Sequence, residues 1–321
     1  MKAKMFNSTH IEGVLYQHTL ERRESGPQST KPGTVFISGN IEIATDNALV
    51  NIVPIHFTYV TETTSKGTPN ATFATLINII NGTSGSVMKD GADKATKLRI
   101  DSAIGLNEFY TDRDGKETLV SAKRNEGGFI HVVNALDENE SNRNTFDVDI
   151  IITGVVTKEG DPDAGIVDKA IVKGAIFDFR KSLLPIELSA TDPRAMAYFE
   201  GLEASPKNPV FTRVKGNQIS ETIVKTIEEE SAFGAPSVRE VKNTRKDFVI
   251  TWAQTNPYDW DDESSITAAE LKDAMAARET YLATVKQRND EYKASRGNAL
   301  DGAKVAAPAG TPSVAPGGFN F

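Results

Sequence analysis

Apolar and polar positions alternate through most of the first 253 residues. In TVFISGNIEIA (34–44), Val35, Ile37, Ile41 and Ile43 share one parity, and Phe36, Ser38, Asn40 and Glu42 share the other. This predicts a strand with one buried face, and Gly39 at its centre predicts a bulge or sharp bend. HIEGVLYQHTLERR (10–23) alternates loosely before it, and ALVNIVPIHFTYV (48–60) follows across a short turn. The period then changes: Phe73, Leu76, Ile77 and Ile80 fall at helical spacing and Gly82 closes the segment. Strand character returns in KLRIDSAIGLNEFYTD (97–112), KETLVSAKR (116–124) and GFIHVV (128–133), with SAKRNEGGF (121–129) reading as a basic flexible hairpin.

The next region repeats this order. DVDIIITGVVTKEG (147–160), VDKAIVKGAIFDFR (167–180, with a central Gly174) and SLLPIELSA (182–190) read as strands. DPRAMAYFEGLEAS (192–205) reads as a short helix with Asp192 as N-cap and Pro193 at its first position. NPVFTRVKGNQIS (208–220) and VREVKNTRKDFVITWA (238–253) supply later strands, while periodicity leaves 219–234 open between strand and helix. After residue 257 the pattern turns helical. Thr267 and Glu270 form a capping box, and Leu271, Met275, Leu282, Val285 and Tyr292 mark a thin apolar stripe that should pack on the preceding strands or on a twin helix of a homo-oligomer.

A strand, a strand with a central glycine, a third strand, one short helix and further strands thus occur twice. The glycines sit where a strand must bend to close a small barrel. This order resembles the OB-fold, and among its families the single-stranded DNA-binding proteins of phages and bacteria. The resemblance implies a mainly β chain with short helices, built as two tandem OB-like barrels (1–135 and 136–256), an acidic linker with a C-terminal helix (257–296), and a disordered tail (297–321) rich in Ala, Gly and Pro. It further implies a role in phage DNA replication or recombination in the host cytoplasm.

Composition narrows the chemistry. The chain has no cysteine, hence neither disulfides nor a thiolate metal site or nucleophile. No apolar run has membrane-spanning length, and the lysines of the first residues precede no apolar run, so a cytoplasmic protein without a secretory signal is expected. Four histidines occur, none paired at metal-ligand spacing, and no nucleophile–base pattern or phosphate loop is present. The expectation is a protein that is not an enzyme and takes no cofactor or metal. A net charge of −8 argues against bulk attraction to duplex DNA, yet screening leaves room for a local basic groove.

Single-strand grooves need cations for phosphates and exposed aromatics for bases. In PVFTRVKG, Phe211, Arg213 and Lys215 share a face and are expected to point away from the core; the equally weighted bland reading is a Phe covered by the long C-terminal helix beside two solvated charges. VKNTRKDFVITW places Arg245 and Lys246 before Trp252, although a basic turn before a core strand is the favoured reading there. Phosphates are therefore expected at Arg22, Lys123, Arg124, Arg213, Lys215, Arg245 and Lys246, and bases on Tyr16, Tyr59, Phe211 or Trp252. The tail ends in GGFNF, similar to the partner-recruiting tips of single-stranded DNA-binding proteins but lacking their aspartates, so Phe319 and Phe321 are either a docking tip for replication or recombination proteins or incidental. The rival reading is a β-rich assembly protein of a virion without nucleic-acid binding.

Overall fold

The computed structural model describes residues 5–113, 116–160, 167–229, 237–260 and 266–302. The chain is mainly β, with one large sheet and a C-terminal helix. Five of its strands are β1 (Asn7–His18), β3 (Val35–Ala44), β4 (Ile52–Thr61), β5 (Lys97–Arg113) and β6 (Lys116–Val132), with the short β2 (Glu21–Glu24) on the edge of β3. β1 pairs with β3, β3 with β4, β4 with β6 in parallel, β6 with β5, and β5 with β1, so the pairing returns to its start. Helix α1 (Ala71–Ile80) lies between β4 and β5 in sequence, and a further short helix, α2 (Val87–Asp90), follows it.

The remaining strands, β7 (Asn144–Lys158), β8 (Lys169–Phe177), β9 (Leu183–Ala190), β10 (Val210–Glu229) and β11 (Ser237–Ala253), repeat that circuit as β7–β8–β9–β11–β10–β7. Helix α3 (Pro193–Gly201) takes the place of α1. The parallel closures are slight: two residue pairs between β4 and β6, and the single pair Val249–Ser189 between β9 and β11. Antiparallel pairing of β1 with β7 joins the circuits into one eleven-stranded sheet.

Local chemistry explains these elements. Asn70 accepts from the Thr72 amide at the start of α1, and Asp192 accepts from the Arg194 and Ala195 amides at the start of α3, with Pro193 in the first turn. Helix α4 (Ala268–Gly302) opens on the anticipated capping box: the Glu270 amide donates to Thr267 Oγ1 and the Thr267 amide to Glu270 Oε2.

Two compact units account for the chain. The first comprises Met1–Asn107 and Ala122–Arg278, and the second Glu108–Ser121 and Glu279–Phe321. Within the first unit, one apolar cluster gathers Ile11, Ile37, Ile41, Ile55 and Phe57 with Phe73, Leu76 and Ile79 of α1. A second gathers Val148, Ile150, Val172, Leu188, Val214 and Ile250 with Phe199 of α3. Ile104 of β5 belongs to the second cluster, so this strand serves both circuits. Each such side chain, once fully buried, contributes about 1.5–3 kcal/mol. Among the described residues no helix is long and apolar enough to cross a membrane.

Several expectations change. SAKRNEGGF is no hairpin, because all nine residues lie within β6. Residues 219–229 are strand, paired throughout with β11, so cross-strand pairing decides what periodicity left open. The basic stretch before Trp252 is interior to β11 and forms no turn. Phe319 and Phe321 lie outside the described residues.

Candidate functional site

Three of the proposed aromatic residues sit at or beside breaks in strand register, where a bulge re-aims a side chain. Between the pairs Leu15–Ile43 and Gln17–Glu42, β1 carries one extra residue, Tyr16, which is partly exposed. Between Ile37–Val60 and Gly39–Phe57, β4 carries one more residue than β3, and there Thr58 and Tyr59 are both exposed in succession. Gly39 permits this break: its φ is +129°, and an added Cβ would stand 2.3 Å from the Thr19 carbonyl oxygen. Between Lys215–Trp252 and Gly216–Ile250, β11 carries the extra Thr251, and Trp252 is left 47% exposed.

The Trp252 region is the most developed site. Lys215 lies directly across from Trp252 on β10, and its Nζ stands 5.4 Å from the indole centroid. The same ammonium is 3.4 Å from Asp147, its partner position on β7. Beside the indole opens a cleft of about 760 Å³, lined by Trp252 and Thr251 from β11 and by Arg194 and Tyr198 from α3. Arg194 is almost fully exposed, 3.5 Å from the Asp192 carboxylate, and the Tyr198 hydroxyl donates to the Gln254 carbonyl. The cleft thus offers a half-open aromatic face with Arg194 in its wall, and Lys215 stands against the same indole.

A second aromatic surface lies on β3 and β4. The rings of Phe36 and Tyr59 are 4.5 Å apart, and the Tyr59 hydroxyl lies 3.1 Å from Ser25 Oγ. Arg22 on the neighbouring β2 is exposed, while Arg23 is paired with Glu21. Arg245 and Lys246 are exposed on β11, opposite Glu221 and Ser220.

Other expected site residues are committed to contacts within the fold. Phe211 is 1% exposed and packs on Tyr258 and Trp260 at 4.7 and 6.1 Å, under Leu271 and Ala274 of α4, so it has no face for a base. Its strand is covered on both sides, which alternation cannot reveal. Lys123 donates to the Glu187 carbonyl at 2.5 Å, lies 5.0 Å from the Phe248 centroid, and is pushed to a lower pKa by burial. It pins β6 to β9 and is withdrawn from phosphates. Arg124 is 2.6 Å from Glu126. Arg213 makes two hydrogen bonds of 2.7 Å to Asp147 and caps the Phe6 ring at 3.5 Å. Burial acts to raise the Asp147 pKa, but Arg213 and Lys215 hold it below the usual carboxylate range.

Sequence reasoning missed Phe36, Arg194 and Tyr198. Phe36 carried a signal, an aromatic on the polar parity of its strand; Arg194 and Tyr198 carried none, because only the docking of α3 brings them beside β11. Among the described residues no group of three or more His, Asp or Glu could hold a metal ion.

The family model described as YorF matches residues 5–288, and the chain belongs to that family. No curated protein matches it in sequence. Among solved structures, the wild-type single-stranded DNA binding protein from Thermus aquaticus is similar at 10% identity and a TM-score of 0.43, covering 82% of this chain and 100% of that one. A deletion mutant of the same protein gives the same identity and score over 81% and 98%.

Proposed function

We propose that this member of the YorF family binds single-stranded DNA without sequence preference and without chemistry. In this reading each strand circuit is an OB-like barrel capped by its helix, with the halves dividing near residues 135 and 136. The observation that carries it is the Trp252 cleft: an indole left half exposed by a bulge, with Lys215 over its face and Arg194 at the rim. Flat rings accept any base by stacking, worth about 1–3 kcal/mol each, and exposed cations beside them accept the phosphates between bases. Tyr59 with Phe36, Tyr16, Arg22, Arg245 and Lys246 supply the other contacts. Arg213 and Arg124 serve chiefly to hold their acidic neighbours. Service to phage replication or recombination, and recruitment of partners through Phe319 and Phe321, belong to the same reading and rest on sequence alone.

The test is fluorescence anisotropy with labelled oligo-dT at several salt concentrations, beside a duplex of equal length. Binding to the single strand that falls steeply with salt is expected, with Trp252→Ala weakening it roughly five-fold or more. Absence of binding at low salt sinks the reading and leaves the assembly protein in its place.

A further inference from the structure

The second compact unit carries an aromatic cleft that neither strand circuit uses. Glu108–Ser121 is the far end of the β5–β6 hairpin, and its partner in the unit is the part of α4 from Glu279 onward. Here α4 turns Val285 and Asn289 inward, and Asn289 donates to Glu117 at 2.8 Å. Lys286 is 2.6 Å from Glu117 and 2.7 Å from Asp290, and Lys293 is 3.0 Å from both Asp112 and Glu117. These pairs clamp the hairpin end to the helix and neutralise both lysines.

What they leave open is a cleft of about 280 Å³ among Phe109, Tyr110, Tyr281, Val285, Arg288 and Tyr292, with Glu108 at its edge. Phe109, Tyr281 and Tyr292 are 41%, 46% and 59% exposed. Arg288 is exposed and has no ion pair among the described residues, unlike Lys286 and Lys293 beside it. A helix that only needed to cover a hairpin would turn its tyrosines inward; this one holds aromatic faces half open around an uncommitted guanidinium. That pairing of flat π-faces with an unpaired planar cation suits a nucleobase and its phosphate.

We propose that this cleft of the second unit is a base-stacking site for single-stranded nucleic acid. It rests on the single-strand reading above and adds a second place at which the molecule takes bases.

The test compares a short oligo-dT of about 12 nucleotides with a long one of about 60, lengths chosen around the span of OB-type sites. Full-length protein is used, as wild type, Tyr281→Ala/Tyr292→Ala, Tyr281→Phe/Tyr292→Phe and Trp252→Ala. Both tyrosines are exposed, so the fold should tolerate either pair of substitutions. The expected result is unchanged affinity of the alanine pair for the short oligo, a loss of roughly five-fold or more for the long one, and retention in the phenylalanine pair, which keeps the rings. Trp252→Ala should weaken both. Equal affinity of wild type and alanine pair for both oligos overturns the cleft while leaving the single-strand reading intact. So does an alanine pair that changes only the oligomeric state in size-exclusion chromatography. Failure of wild type to bind either oligo overturns both.

Discussion

Asp247 shows how a charged residue is held on the interior of the site-bearing circuit. It is 7% exposed, accepts from Ser189 Oγ at 2.8 Å and lies 2.9 Å from Lys169 Nζ. Burial acts to raise its pKa, but Lys169, Ser189 and the Phe248 amide outweigh burial and hold it below the ordinary range. A carboxylate with a depressed folded pKa stabilises the fold above its unfolded value, near 4, and loses that contribution as pH falls through its folded value. Asp247→Asn should therefore be less stable than wild type at pH 7, and the gap in urea midpoint should close below about pH 4. A gap of constant size across that range would remove this pair from the acid dependence. Individual residues were legible in the sequence only by type. Trp252 and Phe211 are both aromatics on alternating strands, yet one faces water and the other lies under α4, and alternation gave the wrong side for Phe211.

At the scale of elements, bulges decide which side chains reach solvent. Gly39 was legible as a bend from its place in an alternating strand. That the bend turns out Tyr59 was not, because the extra residue lies on β4, opposite the glycine. Gly39→Ala must place a Cβ 2.3 Å from the Thr19 carbonyl oxygen at a φ of +129°. Losses of about 1–3 kcal/mol are expected from the strained backbone, more if the β1–β2 turn cannot give way. Thermal unfolding measures the first effect; if Tyr59 is a base platform, oligo-dT affinity of the still-folded fraction falls as well. An alanine variant as stable as wild type would show that the register break does not depend on this glycine. Helix ends were read more securely than strands, since Asp192, Pro193 and the Thr267–Glu270 pair are local signals that need no distant partner.

At the scale of the molecule, buried amides connect the circuits. Asn125 of β6 and Gln218 of β10 exchange two hydrogen bonds of 2.9 and 3.1 Å. The Gln218 carbonyl receives the amides of Asn144 and Asn51, and Asn51 Oδ1 receives the Ser220 amide. Removing one partner of a buried pair leaves the other unsatisfied, at about 1–3 kcal/mol. Asn125→Ala should lower the thermal midpoint and broaden one transition toward two as the halves lose their link. A single sharp transition at the wild-type midpoint would mean that the circuits stay coupled without this pair.

The sequence by itself determined the repeated element order, the helix caps, the inner face of β3 and the exclusion of cysteine chemistry. Each depends on spacing within about ten residues, and such spacing is written directly in the chain. Tertiary structure alone decided that β5 serves both circuits, that Phe211 is interior and Lys123 is tied to the Glu187 carbonyl, that Arg194 and Tyr198 border Trp252, and that α4 and a hairpin end make an aromatic cleft. Those facts depend on which distant segments meet, since a side chain becomes a site only when its neighbours leave one of its faces uncovered.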